Sequence, residues 1–239
     1  MKPFRKTLDQ LKIVWNSFTN CGVRHIQDTK TKEVVLGQVE YVKKIKTITH
    51  PSMRTSATNA EAGHELHQLY MSLLGAIAYT TMTRPDAIVC VCALQRFNHE
   101  PTIINDKSLN ALTRWLQHHP RGLRYRRLSA QSGRGEMQYH LRMSSDAAFK
   151  KEEEKGHSMR GACYIKSFGQ DQASVTKACQ GHFLDFASRS QRHVTRSTFP
   201  AELFATCDTA DHGMRLSLML HEIAYGPVSK AVVRNMREQ

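Results

Sequence analysis

The chain has 239 residues, 40% of them hydrophobic and 23% charged, and its 34 Lys and Arg against 21 Asp and Glu leave a formal net charge of +13. That apolar content suffices for a buried core and excludes a disordered chain. No apolar run approaches the roughly 18–20 residues that span a bilayer, and Met1-Lys2-Pro3-Phe4-Arg5-Lys6 leads into Thr7-Leu8-Asp9-Gln10 rather than a signal-peptide core, so neither a membrane-spanning nor an exported protein is expected.

An isoelectric point of about 9.7 points to a polyanionic partner, since phosphate backbones attract Lys and Arg through counterion release. The cysteines, Cys21, Cys90, Cys92, Cys163, Cys179 and Cys207, show no regular spacing. Reduced thiols in an intracellular compartment, cytoplasmic or nuclear, are the simplest expectation.

In chain order, Phe4, Leu8, Leu11, Val14, Trp15 and Phe18 recur at steps of three and four and predict an amphipathic helix. Cys21 to Asp28 and Glu33 to Gln38 flank the polar Thr29-Lys30-Thr31-Lys32 and predict a β-hairpin. Val39, Val42, Ile45 and Ile48 form a short helical stripe, and Thr49 to Gly63 reads as a linker. A long helix is predicted over Leu66 to Thr83, interrupted at Arg84-Pro85, with further helices over Asp86 to Phe97 and Lys107 to His119. Ser129 to Glu136 is a second linker. Beyond it, Gln138 to Phe149, Gly161 to Phe168 and His182 to Ser188 read as strands, with Lys150 to Gly156 as a charged turn. A helix from Pro200 to Ala224 follows, ended by Gly226-Pro227.

Two carboxylates stand out for chemistry. Asp146 lies near the end of a strand, in Ser144-Ser145-Asp146-Ala147-Ala148-Phe149, and Glu202 lies in the first turn of the last helix. Such a pair could converge on divalent cations for phosphodiester cleavage, although Glu near a helix start and Asp at a strand end are ordinary in themselves. Weaker patterns are His64 and His67, spaced i and i+3 instead of the zincin i and i+4, with Cys179 and His182 as further candidate zinc ligands. Cys90-Val91-Cys92 reads as core rather than redox-active. Basic residues crowd two places. Arg114, Arg121, Arg124, Arg126 and Arg127 surround His118-His119-Pro120, near Trp115 and Tyr125, and Arg189, Arg192, His193 and Arg196 precede Glu202. Both suit a nucleic-acid track.

From Phe4 to Ala224 the chain resembles the Pol polyprotein of copia-type LTR retrotransposons. Cys21-Gly22 with Gln27, Val35-Leu36-Gly37-Gln38 and Tyr41-Val42 are similar to the end of that family's reverse transcriptase. Tyr70-Met71-Ser72-Leu73-Leu74-Gly75-Ala76, Tyr79 and Thr83-Arg84-Pro85-Asp86 resemble its "Y.SL.GAL.Y…TRPD" signature, and Leu94-Gln95-Arg96-Phe97 stands where "LLSRF" is usual. Ala111-Leu112, Trp115-Leu116 and Gly122-Leu123-Arg124-Tyr125 resemble the connection that follows. Ser145-Asp146-Ala147 falls on the "SDAD" of the retrotransposon RNase H domain, Gly156 to Lys166 on its "KSTSGYVF" hairpin, Ala187-Ser188-Arg189-Ser190-Gln191 on "WSSKKQ", and Ser197 to Leu203 on "SSTEAEY".

The resemblance implies an α+β protein: a helical reverse-transcriptase thumb and connection segment followed by an incomplete RNase H-like α/β domain. The segments are 1–63, 64–136 and 137–239. It implies Asp146 and Glu202 as catalytic, Mg2+-binding carboxylates and an RNA·DNA hybrid or duplex as the nucleic-acid partner. Arg121, Arg124, Arg126, Arg127, Arg189, Arg192 and Arg196 are the candidate contacts. There are departures. No "YVDD" polymerase hairpin occurs; Ala148, Phe149 and Pro200 replace an aspartate, a tryptophan and a glutamate of the motifs. The family's third and fourth carboxylates are expected beyond Gln239, among Pol segments missing from this chain. Asp208 and Asp211 point about 120° and 180° away from Glu202 at about 100° per residue, so neither can replace them. Two carboxylates offset poorly the charge of two divalent ions, and little or no activity is expected of this chain itself.

Overall fold

The computed structural model describes residues 15–54, 60–61, 63–126, 139–148, 158–168, 181–191, 195 and 197–227. The protein is a mixed α+β structure with two antiparallel sheets. It divides into two compact units, Met1–Arg127 and Leu128–Gln239.

In the first unit, β1 (Ser17–Asn20), β2 (Val23–Gln27) and β3 (Val34–Gly37) lead into helix α1 (Val39–Lys44). A 3-10 turn at Pro51–Arg54 precedes α2 (His64–Thr80), and another at Pro85–Ala87 precedes α3 (Ile88–Gln95). Helix α4 (Ile103–His118) then runs to β4 (Leu123–Tyr125). The sheet order is β1-β2-β3-β4, antiparallel throughout.

The hairpin expected between Cys21 and Gln38 is present as β2 and β3, with Arg24 opposite Gly37 and Gln27 opposite Val34. Its turn is closed by the Asp28 carboxylate, which accepts the N–H groups of Lys30 at 2.8 Å and Thr31 at 2.7 Å. Those amides hold the Asp28 carboxyl below its ordinary range. The helix expected up to Phe18 is corrected at its end: Ser17 and Phe18 belong to β1, while residues 1–14 lie outside the described residues. Cys21 and Gly22 both have positive φ, 45° and 70°, which is what a two-residue hairpin needs and a helical stripe does not reveal.

The core lies among the helices: Leu66, Tyr70, Leu73, Leu74 and Ile77 of α2, Val91 and Leu94 of α3, and Ile103, Leu109, Leu112 and Leu116 of α4, with Val42 and Ile48. Helix α1 ends at Lys44, short of the predicted stripe. Beyond it the Ile48 backbone is held by Asn110, whose side chain accepts the Ile48 N–H and donates to the Ile48 carbonyl. Helix α4 begins at Ile103, four residues before the predicted start. The Asn105 side chain accepts the Thr102 backbone N–H at 2.8 Å and satisfies the helix entrance.

Arg84-Pro85-Asp86 is a structural clamp. The buried Arg84 grips Asp86 through Nε and Nη2, both at 2.9 Å, donates from Nη1 to the His119 carbonyl at 2.7 Å, and lies 4.9 Å over the Trp115 ring. It thereby ties the turn before α3 to the end of α4. Within residues 64–136, expected as a helical connection, β4 pairs with β3.

The second unit has β5 (Tyr139–Ala148), β6 (Met159–Phe168) and β7 (Gly181–Ser190) in the order β5-β6-β7, antiparallel, followed by α5 (Thr198–Tyr225). The expected charged turn Lys150–Gly156 and linker Ser129–Glu136 lie outside the described residues. Helix α5 lies mainly along β5. It approaches through small buried residues at steps of four, Ala201, Ala205, Thr209 and Gly213, and a Cβ at Gly213 would overlap Met143 Sδ. Helix α5 starts at Thr198, so Pro200 sits inside its first turn, where its missing N–H costs nothing. Glu202 falls in the second turn, not the first.

Candidate functional site

Successive side chains of a strand point to opposite faces of its sheet, and hydrogen bonds show which face carries α5. Ser145 Oγ on β5 lies 3.1 Å from Thr206 Oγ1, and the Tyr164 hydroxyl on β6 donates to the Thr209 carbonyl at 3.3 Å. Asp185 Oδ2 on β7 lies 2.7 Å from His212 Nε2, and Arg160 pairs with Asp208. Ser145, Tyr164, Asp185 and Arg160 thus face the helix.

Asp146 follows Ser145 without a break in register, opposite Gly161. It faces away from α5 and is exposed to solvent. Glu202 is half-buried on α5, one turn before Thr206. From the Met143–Gly213 contact to the Ser145–Thr206 contact, β5 advances as α5 retreats. The next helix-facing position of β5 is therefore the one that approaches Glu202, and it carries only the methyl of Ala147. The two candidate carboxylates are not brought together. Among the described residues no group of three or more His, Cys, Asp and Glu could hold a metal ion. Asp208 and Asp211 are engaged elsewhere, with Arg160 and Arg215 respectively.

The candidate zinc ligands also diverge. His67 Nε2 lies 2.7 Å from the Asn98 carbonyl, while His64 Nε2 lies 3.1 Å from the Gln68 amide. His182 is on β7, opposite Lys166, and Cys179 lies outside the described residues. Of the pair on α3, Cys92 is buried as expected but Cys90 is exposed.

The basic residues sort into bound and open groups. Arg124 on β4 and Arg126 just after it share Glu33, at 3.2 and 3.0 Å. Arg121 is exposed between α4 and β4, and its charge helps to hold the Asp86 carboxyl low, after the larger effect of the Arg84 hydrogen bond. Arg189 is exposed on β7, opposite Arg160, in a strand and not in the loop expected before Glu202. Arg127, Arg192 and Arg196 lie outside the described residues. Trp115 is already covered on one side by Arg84, and Tyr125 is half-buried on β4, where burial pushes its phenol up.

The Asp185–His212 pair has no counterpart among the sequence expectations. In it, the Asp185 carboxylate also accepts the Phe186 N–H at 2.8 Å. Its signal was a lone carboxylate in the apolar run Phe183-Leu184-Asp185-Phe186.

Comparison with protein-family models, with curated proteins and with solved structures found no match. No helix among the described residues is long and apolar enough to cross a membrane.

Proposed function

We propose that this chain is a polypeptide of the copia-type retrotransposon Pol kind, with a reverse-transcriptase end and connection in its first unit and an RNase H-like segment in its second. It belongs to machinery whose reaction is metal-dependent hydrolysis of RNA in RNA·DNA hybrids, and this chain by itself hydrolyses little or none. One observation carries the reading. An edge strand bearing Ser145-Asp146-Ala147 is followed by two antiparallel strands and then by a long helix bearing Glu202, which lies back along that same strand. That order agrees with the motif resemblance, and the resemblance supplies the function, since a layer architecture alone never does. The low activity is supported by the incomplete carboxylate set and by the placement of Asp146 on the face of β5 turned away from α5.

The test is a labelled RNA·DNA hybrid incubated with the purified chain and Mg2+. Cleavage no greater than the protein-free control, unchanged by Asp146→Asn, is expected. Robust cleavage that Asp146→Asn abolishes would overturn the inactive assignment.

A second reading, binding of nucleic acid without catalysis, is favoured by the net charge of +13 and by exposed Arg121, Arg124 and Arg126 at one end of the first sheet. It predicts hybrid or duplex binding that weakens steeply with salt and is indifferent to Asp146→Asn. Absence of binding to any nucleic acid at low salt would end it.

A further inference from the structure

Asp106 is the only fully buried carboxylate among the described residues. It sits in the buried stripe of α4, with Ile103, Leu109, Asn110 and Thr113 at neighbouring turns, and neither of its carboxylate oxygens has a hydrogen-bond partner among the described residues. The groups that face it come from two elements. His50 approaches from the segment before the first 3-10 turn, with Glu65 beyond it at 3.6 Å. His67 and Tyr70 approach from α2. Neither α2 side chain is turned to the carboxylate as a donor: His67 Nε2 is engaged by the Asn98 carbonyl, and the Tyr70 hydroxyl donates to the Leu94 carbonyl at 2.7 Å. On α4 itself the adjoining charge is Lys107.

An ionised carboxylate in such a place lacks both water and hydrogen bonds, a cost that a protein avoids by keeping the proton or by opening the site. We propose that Asp106 is a proton-dependent lock on the first unit. In its neutral form α4 seats fully against α2 and the 45–54 segment, and loss of the proton loosens that packing.

Burial pushes the Asp106 carboxyl up to about 6, against the opposing pull of His50 and His67. A carboxyl raised in the folded state stabilises that state on the acid side. The contribution is fully present below the ordinary value of 3.8 and is lost as pH rises through about 6. The lock is therefore closed in mild acid and released toward neutral pH.

Both tryptophans of the chain, Trp15 and Trp115, lie in the first unit, so tryptophan fluorescence of the full chain follows the unfolding of that unit alone. At constant ionic strength the thermal midpoint at about pH 5 is expected to exceed that at about pH 7.5 by roughly 5 °C or more. Asp106→Asn should abolish the difference. A pH-independent wild-type midpoint overturns the proposal. So does a wild-type slope retained in Asp106→Asn, which would assign the dependence to other groups. Should Asp106→Asn fail to fold, carbon-13 NMR of aspartate carboxyls in the wild-type chain decides: one carboxyl titrating near pH 6 supports the lock, and all of them titrating in the ordinary aspartate range overturns it.

Discussion

Asn110 and Ile48, sixty-two residues apart, exchange two hydrogen bonds of 2.8 Å: the Ile48 N–H donates to Asn110 Oδ1, and Asn110 Nδ2 donates to the Ile48 carbonyl. One amide side chain thus satisfies both backbone groups of a residue that belongs to neither helix nor strand. Both residues are buried, so removal of the amide strands two backbone groups away from water. Asn110→Leu is expected to destabilise the first unit by about 2–4 kcal/mol, a fall on the order of 10 °C in the midpoint followed by tryptophan fluorescence.

Arg84 and Asp86 set the acid limit of the same unit. The Arg84 hydrogen bond holds the Asp86 carboxyl below its ordinary value of 3.8. The sign is opposite to that of Asp106: this stabilisation is present above 3.8 and is lost as pH falls through the lowered folded value. Unfolding midpoints should therefore drop on acidification below 3.8, and Asp86→Asn should reduce the drop. Arg84→Lys, which cannot hold Asp86, the His119 carbonyl and Trp115 at once, should cost about 1–3 kcal/mol at neutral pH.

Two glycines should respond with opposite signs. A Cβ at Gly122 would overlap the Leu36 carbonyl oxygen and come 3.2 Å from Gly37 Cα, so the strand pair β3–β4 has no room for it. Gly122→Ala should destabilise the first unit by about 1–3 kcal/mol. A Cβ at Gly75, exposed within α2, would meet nothing within 4 Å. Gly75→Ala should stabilise by about 0.5–1 kcal/mol, because the helix no longer orders a glycine. Chemical denaturation of both variants checks the pair.

Glu33 competes with any phosphate for Arg124 and Arg126. Under the nucleic-acid-binding reading, Glu33→Gln should strengthen binding to an RNA·DNA hybrid by about 2–10-fold at low salt, because these exposed pairs are weak. Arg121→Gln should weaken binding and lower the slope of log affinity against log salt by about one. Fluorescence anisotropy with a labelled hybrid over a salt series reads both, and an unchanged slope in Arg121→Gln would remove that residue from the interface.

Much of the secondary structure was legible because it depends on local periodicity. The three- and four-residue spacing of Leu66, Tyr70, Leu73, Leu74 and Ile77 is the spacing of the α2 core, and the three long strands and α5 fall within a few residues of their predicted limits. The misses have non-local causes. Phe18 fits a helical stripe, but Ser17–Asn20 pairs with β2 through a two-residue turn. Ile48 fits the stripe of α1, yet Asn110 captures its backbone. Leu123–Tyr125 becomes a strand only because β3 offers its edge.

The sequence by itself determined the basic charge, the apolar faces of the helices, the turn at Asp28 and the presence of two carboxylates in resembling motifs. These are properties of residue type and near-neighbour spacing. Only the tertiary structure decided that Asp146 and Glu202 lie on opposite sides of β5, that Arg84 serves as a clamp, and that Asp106 is sealed without a hydrogen-bond partner among the described residues. In a strand a displacement of one residue reverses the side chain's face, and which face a helix covers is settled by contacts between segments far apart in the chain.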